Sequence, residues 1–190
     1  EPMMLSAVLP VLHSLGVRMV DERPYEISRA DGTIYLYDFG LLPPESHREL
    51  AEVRPQMENA FAAAWRGEAE VDGFNELVLR AGLTWRQAVV LRAYAKYLRQ
   101  AGTLYSERYL ESTFIAHPEI AGLLVQLFET RFSPRLVVGE QERTRLAEDL
   151  VERITGQSWW EAVSSRVLGP LGMGRTTYEP QEPFARGYVV

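Results

Sequence analysis

Residues 72–134 read DGFNELVLRAGLTWRQAVVLRAYAKYLRQAGTLYSERYLESTFIAHPEIAGLLVQLFETRFSP, and this stretch decides the fold class. Its apolar residues recur at helical spacing, and its breaks carry helix punctuation. Asp72 and Gly73 open a short helix containing Phe74, Leu77 and Val78, which Gly82 closes. Thr84 and Gln87 stand in the S/T-x-x-E/Q relation of a capping box, in which each side chain satisfies a backbone donor left over at the helix start. The helix that follows is expected to bury Val90, Tyr94, Tyr97, Leu98 and Ala101 and to stop at Gly102. Ser106 suits the N-cap of a helix carrying Tyr109, Leu110, Thr113 and Phe114. His117-Pro118 breaks that helix, and Pro118 fits the first turn of the next, with Ile120, Leu123, Leu124, Leu127 and Phe128 inside. Ser133-Pro134 ends it. One more helix is expected over 140–154, through Leu146, Leu150, Val151 and Ile154. The middle of the chain therefore reads as an all-helical bundle with a core centred on Val90, Tyr94, Leu98, Phe114, Leu124 and Phe128.

Upstream the periodicity changes. Leu5, Val8, Leu9, Leu12 and Leu15 follow the 3, 4, 7 spacing of an amphipathic helix, with Pro10 early in it and Gly16 at its C-cap. VRMVDERPYEI (17–27), SRADG (28–32) and TIYLYDF (33–39) then give two extended runs around Asp31-Gly32, a dipeptide suited to a tight hairpin turn. Ile34, Tyr35, Leu36, Tyr37 and Phe39 place apolar groups on both faces of the second run, which predicts a central strand rather than an edge. A helix over 45–66 carries the stripe Leu50, Val53, Met57, Ala60, Phe61, Ala64 and Trp65, is interrupted by Pro55 and ends at Gly67. The order helix, strand, strand, helix is a βαββαβ module without its first strand. The expected class is α+β, predominantly α-helical. Its divisions are 1–71 (the incomplete βαββαβ module), 72–154 (helical connector bundle) and 155–190 (foreign or loosely packed tail).

LGVRMVDERPYEI (15–27) and IYLYDFGL (34–41) resemble the last ACT-type regulatory domain of the large, NAD-specific bacterial glutamate dehydrogenases. Residues 72–134 resemble the regulatory-to-catalytic connector of the same family, so the likeness runs over about 5–154. It implies a parent enzyme that oxidatively deaminates L-glutamate to 2-oxoglutarate and ammonia with NAD, with the hydride-transfer apparatus elsewhere in the polypeptide. This chain would then be a non-catalytic fragment holding no cofactor of its own. Its partners would be the other domains of the parent and, in a homo-oligomer, a second copy. Inter-domain packing is favoured over effector binding, because no ligand-binding residue can be assigned. In the tail, Gly156-Gln157-Ser158, RVLGPLGMGRTTY (166–178) and ARGY (185–188) resemble an internal segment of serine beta-lactamase-like hydrolases. A helix is expected over 158–168, with no regular structure from 169 to 183. Two alternatives stay open: a fragment of such a hydrolase, and a free-standing helical interaction module.

Neither family's chemistry is present in these residues. Serine hydrolases of that class need Ser-x-x-Lys and Tyr-x-Asn, but the single lysine, Lys96, has Ala93 three residues before it, and Asn59 and Asn75 follow Met57 and Gly73 at two residues' distance. Gly169, Gly172 and Gly174 give G-x-x-G-x-G, the wrong order for a dinucleotide fingerprint. His13, His47 and His117 stand apart from one another, without the spacing of a zinc face. Lys96 reads as a solvated charge, and Trp159-Trp160 as a packing pair of which at most one is buried. No catalytic, cofactor-binding or metal-ligating residue is assigned. At 190 residues and 46% hydrophobic the chain can bury a sizeable core. A net charge of −6 opposes a general nucleic-acid role, which needs a basic face. The absence of cysteine removes disulfides and thiolate chemistry. No apolar run approaches the roughly 20 residues a membrane helix requires, and the expected location is the cytoplasm.

Overall fold

Helix α1 (Leu5–Ser14) forms where the spacing predicts it and buries Val8, Val11 and Leu12. It ends on a left-handed Gly16 at φ +76°. The Gly16 and Val17 amides donate to the carbonyls of His13 (2.9 Å) and Leu12 (3.3 Å), so the last carbonyls of α1 are satisfied by the turn itself. This structure is a computed structural model, and it describes residues 3–45, 49–170 and 172–173. The chain falls into two compact units, Glu1–Val125 and Gln126–Val190.

In the first unit, β1 (Arg18–Arg29) and β2 (Gly32–Leu42) form an antiparallel hairpin. Its register runs from Arg18 opposite Leu42 to Arg29 opposite Gly32, with a bulge between Met19 and Asp21. Two expectations are corrected here. The turn residues are Ala30 and Asp31, while Gly32, at φ +144°, already pairs in β2. In addition, β2 is not a central strand, because among the described residues the sheet has two strands. Apolar groups on both faces signal contact demand, not strand neighbours. Phe39 and Leu41 pack against the cluster of Val8, Leu12, Val17, Val53 and Leu79. On the other face Ile34 pairs with Ile27 and Leu36 with Tyr25, and all four stay between 44% and 55% exposed.

Helix α2 (Leu50–Trp65) starts later than the expected residue 45 and accommodates Pro55 in its second turn. It buries Val53, Ala60, Ala63 and Ala64 but leaves Leu50 and Trp65 half-exposed. A 3-10 turn (Gly73–Glu76) runs into α3 (Leu77–Arg80), with the Asp72 carboxylate accepting from the Phe74 amide at 3.1 Å. Helix α4 (Trp85–Gln100) has both halves of the Thr84/Gln87 capping box. α5 (Glu107–Ala116) is capped by Ser106 through the Tyr109 amide at 3.1 Å, and α6 (Pro118–Phe132) opens on Pro118 as its sequence directs.

The buried faces of these helices differ from the expected ones. α4 buries Ala88, Leu91, Arg92 and Ala95, while Tyr94, Tyr97 and Leu98 are 42%, 63% and 42% exposed. α6 buries Ala121 and Val125 rather than its larger side chains. The core of the helical part is Phe74, Leu77, Ala81, Leu83, Leu91, Ala95, Ala121 and Val125, with Leu110, Phe114, Ile115 and Leu124 packed against it. Of the expected centre, Phe114 and Leu124 touch this cluster and Val90, Tyr94 and Leu98 do not belong to it. The reason is physical. α4 carries a charge inward and turns its tyrosines outward, so apolar periodicity points to the wrong stripe.

The second unit contains the end of α6, α7 (Glu140–Thr155), α8 (Trp159–Val163) and a π-helical turn (Ser164–Leu168). Arg143 caps the end of α6, donating to the carbonyls of Thr130 (2.5 Å), Leu136 (2.7 Å) and Ser133 (3.3 Å). Ser158 and Glu161 complete a second capping box at α8, within the expected 158–168 helix. Most of the expected irregular stretch, 169–183, lies outside the described residues.

Candidate functional site

The most densely hydrogen-bonded polar group in the first unit gathers around the 3-10 turn. Arg92 of α4 is 3% exposed and grips Asp72 with two bonds, Nε to Oδ2 at 2.5 Å and Nη2 to Oδ1 at 2.7 Å. Its Nη2 also donates to Asn75 Oδ1 at 3.0 Å. The Asn75 amide nitrogen donates to Ser14 Oγ of α1 at 3.2 Å and to the Glu70 carbonyl at 2.8 Å. Ser14 Oγ in turn donates to the Val11 carbonyl at 2.7 Å. Asn75 is 2% exposed, and its amide uses both of its donor positions and its acceptor. A buried guanidinium is tolerated only when paired and hydrogen-bonded, and Asp72 and Asn75 supply both.

Two further contacts tighten the turn. Glu111 of α5 accepts from the Gly73 amide at 3.2 Å. Burial raises the Glu111 carboxyl above its ordinary value, and the nearby Asp72 charge raises it further. A Cβ on Gly73 would meet the Glu111 carboxylate at 2.5 Å, so a larger residue there would have to displace that side chain from the Gly73 amide. Beside the cluster, Lys96 Nζ lies 2.7 Å from both Glu70 oxygens, and that hydrogen bond holds the Glu70 carboxyl below its ordinary value. Lys96 is thus an ion-paired side chain, not the freely solvated charge its helix position implied.

A second feature is an apolar cleft of about 810 Å³ walled by Tyr35, Tyr37 and Phe39 of β2 and by Met57, Phe61 and Trp65 of α2. Its polar rim is the exposed Arg54–Glu58 pair at 2.8 Å. The Tyr37 hydroxyl is occupied, accepting from the Met3 amide at 2.9 Å. Apart from the tyrosine phenols and the Arg54–Glu58 pair, the named lining is apolar. The cleft is a gap in a core whose sheet has only two strands.

The remaining candidates fall apart in space or outside the described residues. His13 and His117 are exposed, on α1 and at the end of α5, and His47 lies outside the described residues. Among the described residues no group of three or more His, Cys, Asp or Glu could hold a metal ion. Trp159 and Trp160 are both half-buried, neither fully, with their rings 6.2 Å apart and tilted by 33°. Gly169 and Gly172 follow the π-helical turn, and Gly174 lies outside the described residues. A dinucleotide turn needs a strand leading into it. Here a helix does, so these residues do not fit NAD. The Arg92–Asp72–Asn75 group was not legible beforehand: nothing in the spacing of 72, 75 and 92 announces that they meet, and Asn75 drew notice only as a failed Tyr-x-Asn.

Comparison with known proteins adds what the geometry alone does not. The family model described as glutamate dehydrogenase ACT3 domain matches residues 1–53, and that described as glutamate dehydrogenase helical motif 3 matches residues 69–134. The NAD-specific glutamate dehydrogenase of Mycobacterium tuberculosis is 47% identical over 137 residues, covering 68% of this chain and 8% of that protein. Those of Halomonas elongata and Pseudomonas aeruginosa are 44% and 41% identical, over 73% and 69% of this chain and 9% and 8% of theirs. The chain thus spans less than a tenth of the length of the curated relatives it matches. Through these two stretches the chain belongs to the NAD-specific glutamate dehydrogenase family, as a segment that carries its ACT3 domain and helical motif 3.

Proposed function

We propose that this chain is a non-catalytic structural element of an NAD-dependent glutamate dehydrogenase, joining regulatory and catalytic parts of an enzyme that converts L-glutamate to 2-oxoglutarate. The observation that carries this reading is the outer face of the hairpin. Tyr25, Ile27, Ile34 and Leu36 lie together there, about half-exposed, and an exposed apolar patch is the kind of surface that marks a protein contact. In this reading the partners are the other domains of the parent. The segments 1–71, 72–154 and 155–190 are the units of assembly, the enzyme is a cytoplasmic homo-oligomer, and NAD binds outside this chain. No described helix is long and apolar enough to cross a membrane.

The test compares the isolated chain with the full-length enzyme. Purified chain should give no glutamate-dependent NADH formation and no heat of NAD binding. The double substitution Ile34→Glu and Leu36→Glu should leave the melting temperature of the isolated chain within about 2 °C, as expected for exposed sites, yet lower the melting temperature or the assembled fraction of the full-length enzyme. Turnover by the isolated chain, or an unaffected full-length variant, would overturn the reading.

A further inference from the structure

Residues 73–80 serve all three hydrophobic clusters formed by the described residues of the first unit. Phe74 and Leu77 enter the cluster built with α4, α5 and α6. Leu79 enters the one formed by Val8, Leu12, Val17 and Val53, and Val78 joins Leu15 and Ala60 in the third. All four are between 0% and 2% exposed. Segments that merely connect domains run over the surface and cross few contacts. This one lies near the start of the helical motif 3 match, and its Phe74, Asn75, Leu77, Val78 and Leu79 are all buried.

Its polar contacts repeat the pattern. Asn75 bridges Ser14 of α1 to Arg92 of α4 (3.2 and 3.0 Å), and Glu111 of α5 holds the Gly73 amide. At the α1 end, a Cβ on Gly16 would come within 2.6 Å of the Glu76 side chain, so the C-terminus of α1 rests directly on the turn. Separating α1 from α4 would strip Asn75 of a partner on one side or the other while it remains buried. Leaving buried amide groups unpaired is costly.

We propose that residues 73–80 are a mechanical joint that makes the ACT3 region and helical motif 3 open and close as one cooperative body, with Asn75 as the bridging residue between α1 and α4. A displacement imposed on α1 or the hairpin would then reach α4 and α5 through the turn instead of being absorbed by a hinge. The joint is a property of this chain alone. Only its use as a relay between parent domains rests on the inter-domain role proposed above.

Native-state hydrogen exchange on the 190-residue chain tests it. The slow amides of α1, such as Leu12, and of α4, such as Leu91 and Ala95, should open together, with protection within about threefold and the same denaturant dependence. Asn75→Leu, which removes the bridge at similar volume, should make the α1 amides exchange at least about tenfold faster than those of α4. Ser14→Ala, which removes only the α1 partner, should split the two sets in the same direction by less. If Asn75→Leu does not fold, Ser14→Ala decides alone. Independent exchange of α1 and α4 in the unsubstituted chain would sink the joint, as would variants that accelerate both sets equally or leave both unchanged. Because only the isolated chain is used, such a failure leaves the domain-packing reading standing, and an unaffected full-length enzyme in that other test leaves the joint standing.

Discussion

Arg92 and Lys96 sit one helical turn apart on α4, and their surroundings set them apart energetically. Arg92 is 3% exposed and its bonds to Asp72 are bidentate. Lys96 and Glu70 keep 42% and 60% of their side-chain surface in water. Removing one partner of a buried pair strands the other, whereas an exposed pair exchanges its bond for hydration. Arg92→Met should therefore cost about 3 kcal/mol, the lower end of the range for broken buried pairs because Asp72 is partly exposed. Lys96→Ala should cost less than about 1 kcal/mol. Urea unfolding followed by tryptophan fluorescence measures both, and equal losses would contradict the distinction. Glu111 offers a pH-dependent counterpart. Its carboxyl is raised by burial and then by Asp72, so the folded state binds its proton more tightly than the unfolded chain does. The associated stability is fully present below the unfolded value and is lost as pH rises through the folded one. Glu111→Gln keeps an acceptor for the Gly73 amide and removes that loss. The variant should gain on the unsubstituted chain as pH rises above the ordinary glutamate value and through the raised one. A gain that shrinks with rising pH would refute this cause.

At the level of elements, what could be read in advance was whatever local chemistry dictates. Thr84 and Gln87, Ser106, Pro118 and Gly16 fix helix ends through groups within a few residues, and each performs that role in the structure. The hairpin was visible for the same reason. What could not be read depended on which neighbour each face meets. In α4 the small residues Ala88 and Ala95 and the charged Arg92 turn inward, and hydrophobic periodicity gives weight to neither alanines nor an arginine that finds a distant carboxylate. In β2 apolar residues on both faces look alike whether a strand lies alongside or a helix lies across one face. The side of contact is a tertiary property, and Phe39 against α1 and α2, with Ile34 in solvent, shows that the two faces serve different ends. The polar group at the turn was the least legible part. Its members come from residues 14, 70, 72, 75, 92 and 111, and only folding brings them together.

Among the described residues, the three hydrophobic clusters and the partly buried residues packed on them all come from residues 3–125. The first compact unit ends at that same Val125. The unit therefore holds its own core, and α6 supplies it with Ala121 and Val125 from its first half only. A chain ended after Phe132 keeps all of α6 and every member of those clusters. What it loses at that end is Arg143, and of the three carbonyls that guanidinium satisfies only that of Thr130, in the last turn of α6, remains in the shortened chain. That carbonyl is near the surface and water can replace the guanidinium, so the loss should be about 1–2 kcal/mol, the scale of a hydrogen bond to a charged group. The truncated chain should unfold cooperatively in urea, retain the slow exchange of Leu91 and Ala95, and show near-ultraviolet circular dichroism characteristic of fixed aromatic packing. A non-cooperative transition with that signal gone would mean that residues 133–190 take part in holding the first unit together, and that its core is not complete at Val125.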